Sequence, residues 1–207
     1  MTASSAVIAI VLAGGRSSRF GSPKLAVEID GVTLLDRAVR AVAAVAGEVL
    51  VAGTADPGPT IVSHVRTRPD EASFAGPLAA LAGALRECTT GLAIVVGGDM
   101  PGLVPAVLDR MLQRLGSDSG LDAVVLAPPA GATRVQVLPL ALRVEPATLA
   151  AGTALAAGDR SLVRLVERLR SVELLAAEWS DLDPTGQTLL DIDVPADIAH
   201  IQDQRIF

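Results

Sequence analysis

Short apolar runs alternate along the chain with longer segments in which apolar residues recur at helical spacing. The runs 6–13 and 92–96 are typical of strands buried on both faces of a sheet, and 104–115 carries an apolar stripe typical of a helix. Strands are predicted at 6–13, 48–52, 60–65, 92–96, 122–127, 135–142 and 172–176, and helices at 33–46, 77–86, 104–115, 161–169 and from 195. Alternating strands and helices predict an α/β fold with a mainly parallel, doubly wound sheet.

Length and composition limit how this fold is built. The 207 residues contain no internal repeat and no linker-like tract, so we expect one domain spanning 1–207. Half of the residues are apolar, but aromatic residues make up only 2% and tyrosine is absent. The core must therefore be built mainly from alanine, valine, leucine and isoleucine.

Charge and targeting signals exclude several classes of function. The net charge of −6 argues against a nucleic-acid partner. No apolar run approaches the length of a membrane span, and the N-terminal apolar stretch lacks the basic start and cleavage site of a signal peptide. Cys88 is the only cysteine, which excludes a disulfide framework. We expect a cytoplasmic protein without a membrane partner.

A loop rich in glycine and basic residues follows the first predicted strand. Between residues 14 and 24 it contains three glycines together with Arg16, Arg19 and Lys24. Glycine lets backbone N–H groups approach an anion closely, and the three cations add positive charge where a polyphosphate would lie. The spacing fits neither the Walker loop nor the dinucleotide-binding fingerprint. The loop therefore predicts a different kind of triphosphate site; the alternative is a glycine-rich turn with solvated basic side chains.

Asp99 is the second residue that points to chemistry. It follows the predicted strand 92–96 through Gly97 and Gly98. Ligands of open α/β sheets bind outside the carboxyl ends of the strands, and Mg²⁺ takes one or two carboxylates together with phosphate oxygens and water. Asp99 is thus a candidate magnesium ligand; the alternative is a capping role before the turn at Pro101.

The glycine-rich loop resembles the signature of a known enzyme family. The residues that carry the resemblance are Leu12, Ala13, Gly14, Gly15, Ser17, Arg19, Gly21 and Lys24. They are similar to those of the molybdenum cofactor guanylyltransferase family, a group of MobA-like nucleotidyltransferases. The resemblance implies a Rossmann-like, GT-A-like domain that transfers GMP from GTP to the phosphate of molybdopterin and releases pyrophosphate.

The same resemblance implies roles for individual residues. Arg19 and Lys24 would be catalytic, and Mg²⁺ would be bound by Asp99 with Asp193 as a second ligand. The nucleotide would be held by Leu12, Ala13, Gly14, Gly15, Lys24, Asp70 and Asp99. For Asp70, which precedes Gly76-Pro77-Leu78, the alternative is a carboxylate that caps a turn.

A further acidic pair lies close to the C-terminal end of the sequence. In an extended segment Asp191 and Asp193 project to the same face, where they repel each other unless a cation or hydrogen-bond donor lies between them. The family carries a comparable segment that returns to the active site. The alternative for this pair is a solvated strand end.

The residues that carry the resemblance do not all point to the same nucleotide base. Gly15 and the segment 158–161 resemble the guanine-using members, whereas Asp191, Asp193 and Ala52 resemble the cytidylyltransferases. We expect GTP to be preferred over CTP, because a Cβ at position 15 would push a purine away.

Two other functions and two kinds of partner complete the expectations. The alternatives are a nucleotidyltransferase for another small molecule, such as a sugar phosphate, and a non-catalytic protein that escorts the cofactor. The resemblance also implies transient contact with molybdoenzymes or cofactor-insertion proteins. Arg160, Arg164 and Arg168 lie on one helical face and would meet the pterin phosphate or form a solvated basic face.

Overall fold

Nine strands and five α-helices alternate in the parts of the chain that the computed structural model describes, which are residues 4–14, 23–53, 64–69, 76–128, 136–194 and 197. The strands are β1 (Ser4–Leu12), β2 (Glu28–Ile29), β3 (Val32–Thr33), β4 (Ala46–Ala52), β5 (Val65–Arg68), β6 (Leu92–Gly97), β7 (Ala123–Leu126), β8 (Leu140–Arg143) and β9 (Ser171–Leu174). The helices are α1 (Leu34–Ala43), α2 (Pro77–Leu85), α3 (Pro105–Gly116), α4 (Val144–Ala156) and α5 (Leu162–Val166).

Seven of these strands form one sheet in the order β5-β4-β1-β6-β8-β7-β9. Its strands are parallel except β8, which pairs antiparallel with both β6 and β7. β2 and β3 form a separate antiparallel pair. The predicted α/β fold with a mainly parallel sheet is therefore confirmed.

Helices cover both faces of the sheet, which explains why its central strands are continuously apolar. Along β1, Val7, Ala9 and Val11 pack with α1 and α3 on one face, whereas Ile8 and Ile10 pack with α2, α4 and α5 on the other. These five side chains are at most 5% exposed. Burial on two sides leaves no solvated face on which polar residues would alternate.

The N-terminal end of α1 matches the sequence prediction, and its C-terminal end does not. The Thr33 hydroxyl oxygen accepts a hydrogen bond from the amide of Asp36 at 3.1 Å and so caps the helix. The helix ends at Ala43 rather than near residue 46, because Ala46 already pairs with β1 as the first residue of β4.

Other boundaries differ from the predictions. The strand predicted at 60–65 is displaced, since the described strand β5 runs from Val65 to Arg68 and 60–63 lie outside the described residues. β8 begins at Leu140 rather than at 135. Helix α4 is not among the predicted helices. Its buried stripe consists of Val144 and three alanines spread over the next three turns, and this stripe is obscured because alanine and leucine also occur outside it. The predicted terminal helix from 195 lies almost entirely outside the described residues.

The topology creates a crevice beside β1. Its neighbours β4 and β6 carry the chain away on opposite sides, so their carboxyl ends diverge at this point. Leu12 at the end of β1 is in register with Gly97 at the end of β6, and the Gly98 amide donates to the Leu12 carbonyl at 2.9 Å. Gly14, at the start of the glycine-rich loop, and Asp99 therefore follow the ends of neighbouring strands at the same edge of the sheet. Among the described residues, no helix has the length and apolar character that a membrane span requires.

Candidate active site

Lys24 lies between two carboxylates at the mouth of the crevice. Its Nζ is 2.8 Å from Asp99 Oδ2 and 3.3 Å from Asp193 Oδ1. The Lys24 side chain is 14% exposed, whereas those of Asp99 and Asp193 are 31% and 44% exposed. The structure thus joins three predicted site residues that are far apart in sequence into one charged cluster, with the carboxylates on its solvent side.

The two glycines before Asp99 allow its side chain to reach this position. A Cβ on Gly97 would collide with Asp99 Oδ1 and press on Met100. A Cβ on Gly98 would lie 3.2 Å from Leu25 and 3.1 Å from Leu35. The glycine pair that follows β6 therefore serves close packing around the carboxylate rather than anion binding.

The segment that carries Asp193 is attached directly to Asp99. The amide of Ile192 donates to the Asp99 carbonyl at 3.0 Å, and the Ile192 side chain is fully buried against Ile29 and Leu34. Burial of this residue turns its neighbours Asp191 and Asp193 toward the cleft, as the predicted alternation requires, although no strand is assigned here.

Asp197 holds the turn that follows Asp193. Its Oδ2 accepts hydrogen bonds from the amides of Asp193 at 2.7 Å and Val194 at 2.8 Å. The sequence analysis did not assign this role. The place of Asp197 in the sequence offered a signal for this role. An aspartate close to a turn commonly accepts hydrogen bonds from backbone amides that the turn leaves without a backbone acceptor.

Asp183 anchors the chain that leads into this segment, and sequence reasoning missed it as well. Its buried carboxylate accepts hydrogen bonds from the backbone amides of Gln187 and Thr188, with N···O distances of 3.1 Å and 2.7 Å. Thr188 in turn accepts a hydrogen bond from the amide of Val104 at 3.2 Å, and a Cβ on Gly102 would lie 2.6 Å from the Gln187 carbonyl oxygen. These contacts fix the approach to Asp191 and Asp193 against the start of α3.

The backbone of Lys24 is equally well anchored. Lys24–Ala26 forms a single 3₁₀ turn, in which the Ala26 amide donates to the Pro23 carbonyl at 3.0 Å. Leu25 packs against the largest of the three apolar core clusters, and Val27 packs against the smallest, which contains the buried Ile192. The ammonium group is therefore carried by a flexible side chain on a fixed backbone.

A cleft of about 620 Å³ extends from this charged cluster across the sheet. Its walls are formed by Pro77, Asp99, Met100, Gln136, Val137, Leu138, Arg160, Ser161, Leu162, Val163, Asp191 and Asp193. The loop bearing Arg160 is fixed to the start of α2, because the Arg160 carbonyl accepts from the Leu78 amide at 3.4 Å and a Cβ on Gly76 would lie 3.2 Å from the Arg160 Cβ. The cleft thus has a negative end at the aspartates and a cation on its opposite wall.

The remaining predicted residues divide into three groups. Leu12 and Ala13 are buried at the end of β1, and Gly14 is exposed there. Gly15, Arg19 and Asp70 lie outside the described residues. The Ala52 side chain is buried in the core at the end of β4.

The three arginines of the predicted basic face do not act together. Arg164 pairs with Glu167 at 2.7 Å, and Arg168 pairs with Asp159 at 2.8 Å, on the outside of the molecule. Only Arg160 lines the cleft. The solvated basic face is therefore the better description of Arg164 and Arg168.

Asp99 and Asp193 are the described residues of the cluster that could hold a divalent cation together with ligands from a substrate. The described residues contain no group of three histidine, cysteine or acidic side chains placed to hold a metal ion on their own. Mg²⁺ is commonly bound by one or two carboxylates and takes its other ligands from substrate phosphates and water. Asp99 and Asp193, which both contact a single cationic nitrogen, fit this requirement.

Comparison with known proteins assigns the chain to a family. The family model described as "MobA-like NTP transferase domain" matches residues 9–173, which include the glycine-rich loop, Lys24 and Asp99. The chain belongs to the MobA-like NTP transferase family. Like other members of this family it is a nucleotidyltransferase, and the resemblance that the loop predicted is confirmed.

Relatives of this MobA-like transferase match it over nearly its whole length. A "Probable molybdenum cofactor guanylyltransferase" of Chloroflexus aggregans is 32% identical over 199 residues, covering 93% of this chain and 92% of the relative. A protein of the same name from Natronomonas pharaonis is 27% identical, covering 94% and 96%. The crystal structure of "Molybdopterin-guanine dinucleotide biosynthesis protein A" from Archaeoglobus fulgidus superposes with a TM-score of 0.76 at 21% identity, covering 96% and 98%, and supports the fold.

Proposed function

We propose that this nucleotidyltransferase transfers GMP from GTP to the phosphate of molybdopterin and releases pyrophosphate, with Mg²⁺ as its metal. The observation that carries the proposal is the similarity to a relative named molybdenum cofactor guanylyltransferase, which extends over 93% of the chain. It is supported by the cluster of Lys24, Asp99 and Asp193 at the carboxyl ends of β1 and β6.

The reaction is an in-line attack of the acceptor phosphate on the α-phosphorus of the nucleotide. The attacking group is already an anion, so a general base is not required, and catalysis consists of positioning and neutralisation of charge. Lys24 and Arg19 would bind the negative charge that develops toward the departing pyrophosphate. Asp99 and Asp193 would hold Mg²⁺, which supplies charge neutralisation at the phosphate oxygens.

The nucleotide would lie at the end of β1. Gly14 is exposed at this edge, whereas Leu12 and Ala13 are buried and fix its position through the sheet, the Ala13 amide donating to the Ala52 carbonyl at 2.7 Å. Backbone N–H groups of a glycine-rich turn at a strand end form a cradle for phosphates. Gly15 and Asp70 are proposed to complete the nucleotide site on the basis of the family motif.

The acceptor would occupy the cleft beyond Asp99. Arg160 and Ser161 provide a cation and a hydroxyl, while Val137, Leu138 and Val163 provide apolar surface. This combination suits a flat heterocycle that carries a phosphate, because the ring needs apolar contact and the phosphate needs a cation. Replacing Arg160 with alanine should raise KM for the acceptor more than KM for the nucleotide.

A cytidylyltransferase acting on the same pterin is the second candidate. It is favoured by the aspartates at 191 and 193, which both line the cleft. Pyrophosphate release should be measured with GTP, CTP, ATP and UTP, each with molybdopterin as acceptor. Highest kcat/KM with GTP supports the proposal, whereas a preference for CTP favours the second candidate. No release with any triphosphate favours a non-catalytic escort protein.

A further inference from the structure

Lys24 occupies the space between two carboxylates that the proposed metal would need. Its ammonium contacts Asp99 Oδ2 and Asp193 Oδ1 simultaneously. The distance between these two oxygens therefore cannot exceed the sum of the two contact distances. Mg²⁺ binds carboxylate oxygens at about 2.0–2.1 Å, which is shorter than either of the two ammonium–oxygen contacts. A metal that bound these two oxygens would therefore compete with the ammonium for the space between the carboxylates.

Lys24 differs in residue type from the other permanently charged basic residues of the sequence. Lys24 is the only lysine in the sequence, and the rest of the 17 basic lysine and arginine residues are arginines. An ammonium is a compact point charge on four flexible methylene groups, whereas the guanidinium fork binds two carboxylate oxygens in fixed geometry. A side chain that has to move away from its carboxylate partners when a ligand binds is therefore better suited as a lysine than as an arginine.

The anchoring of the backbone allows such a movement. The 3₁₀ turn of Lys24–Ala26 is fixed by Leu25 in the core and by the hydrogen bond from the Val27 amide to the Lys24 carbonyl at 3.1 Å. The side chain can therefore turn toward the end of β1 without any change in the fold. Gly14, where the triphosphate would lie, is at the same edge of the sheet as Asp99, since Leu12 and Gly97 are in register.

We propose that Lys24 stands in for the divalent metal in the nucleotide-free protein and excludes it until a triphosphate draws the ammonium away. This inference rests on the proposed function, because it takes the metal and triphosphate from it. A single positive charge between two carboxylates repels a second cation from the same oxygens. Once phosphate oxygens bind the ammonium, Asp99 and Asp193 regain their negative charge for the metal. The nucleotide and metal then bind together, and the free protein has little affinity for the metal.

The first test measures metal binding without any nucleotide. Mn²⁺ is the probe, since it prefers the same oxygen ligands as Mg²⁺ and its free concentration is read by electron paramagnetic resonance. Lys24→Met should tighten Mn²⁺ binding about tenfold or more, because the competing charge is gone. Lys24→Arg should leave binding as weak as in the wild type, since the fork keeps both carboxylates occupied.

Two variants make this result specific to the cluster. Arg114→Met removes an equal charge at the far end of α3, where Arg114 pairs with Asp118 at 3.7 Å, and should leave Mn²⁺ affinity unchanged. Adding Asp99→Asn to Lys24→Met should abolish the gain. The proposal is overturned if Lys24→Met binds Mn²⁺ no better than the wild type, if Arg114→Met gains as much, or if the double variant keeps the gain. Circular dichroism establishes that each variant is folded.

The second test follows the ammonium itself. Protein grown with ¹³C-labelled lysine gives a single εCH₂ signal in a nuclear magnetic resonance spectrum, because the sequence has one lysine. Tripolyphosphate in metal-free buffer should shift this signal, and Asp99→Asn should shift it without any ligand. An unmoved signal on saturation with tripolyphosphate would refute release by phosphate. Neither test uses GTP, molybdopterin or turnover, so failure of the proposed guanylyl transfer would appear in the pyrophosphate assay alone.

Discussion

The amide of Ile192 donates a hydrogen bond to the carbonyl oxygen of Asp99 at 3.0 Å. This contact joins the two segments that carry the acidic residues of the site, and the buried Ile192 side chain prevents them from separating. The separation between the carboxylates of Asp99 and Asp193 is therefore set by the backbone. A preset arrangement of this kind favours catalysis by charge stabilisation, since little reorganisation is needed during the reaction.

Replacing Asp99 with asparagine should abolish most of the turnover while leaving the fold intact. The amide keeps the shape of the side chain but removes the charge that the metal requires. We expect kcat to fall by roughly 10²–10³-fold, measured as pyrophosphate release at saturating Mg²⁺. Asp109→Asn, on the surface of α3 where Asp109 bonds only to Gln113 in the described structure, is the matched control. Activity near that of the wild type would remove Asp99 from the metal site.

Replacing Lys24 with alanine should slow the chemical step more than it weakens nucleotide binding. Its charge contributes most as negative charge builds up toward the departing pyrophosphate. We expect the single-turnover rate to fall by about 10²-fold and the nucleotide Kd to rise by about tenfold or less. Both quantities should be measured on the same preparation. A weakened affinity with an unchanged rate would make Lys24 a binding residue only.

Gly97→Ala should impair the site through packing alone. The new methyl group would collide with Asp99 Oδ1, so the carboxylate has to shift from the position in which it contacts Lys24. We expect a loss of about 1–3 kcal/mol in the free energy of unfolding and a clear fall in kcat. Gly116→Ala at the end of α3, where a Cβ would meet nothing within 4 Å, provides the control and should change stability by no more than about 0.5 kcal/mol. Equal effects of the two substitutions would contradict the packing explanation.

Gly15→Ala should erode the expected preference for GTP over CTP. The prediction rests on the family motif, since Gly15 lies outside the described residues. A Cβ at this position would push the larger purine away and leave the pyrimidine less affected. Competition assays with both triphosphates measure the ratio of kcat/KM directly. If the wild type itself prefers CTP, the guanine assignment is wrong, while the fold and the nucleotidyl transfer are unaffected.

Asp122 should make stability depend on acidic pH. The Arg170 guanidinium donates two hydrogen bonds to its buried carboxylate, at 2.8 and 2.7 Å, and these hold the pKa of Asp122 below its ordinary value. Because the folded-state pKa is the lower one, the pair stabilises the protein fully above the unfolded-state pKa of about 3.9 and loses this contribution as the pH falls below it. Asp122→Asn should cost about 1–3 kcal/mol at pH 7, measured by urea unfolding.

The control for this prediction is the same comparison at low pH. Both proteins should be unfolded in urea at pH 7 and near pH 3, and the difference between them should shrink at the lower pH because the Asp122 carboxylate of the unfolded wild type, which has the higher pKa, is then largely protonated. A difference that stays constant over this range would show that the ion pair does not carry the effect.

The sequence by itself determined the fold class and the separate parts of the site. Continuous apolar runs are typical of strands buried on both sides, so 6–13 and 92–96 are expected to be central strands. The carboxyl ends of neighbouring parallel strands bring Asp99 to the edge of the sheet at which Gly14 lies. The alternation around Ile192 placed Asp191 and Asp193 on one side. These inferences use only the spacing of residues that lie near each other in the sequence.

Only the tertiary structure decided how the parts are joined. The contact of Lys24 with both Asp99 and Asp193 depends on Ile192 packing against Ile29 and Leu34, which are distant in sequence. The anchoring by Asp183 could not be derived either, and for Asp197 the sequence offers only its place near a turn. A carboxylate that accepts backbone hydrogen bonds has no sequence pattern that distinguishes it from one that binds a ligand. Which acidic side chains face the cleft is set by long-range packing, and residue order alone does not encode it in any local pattern.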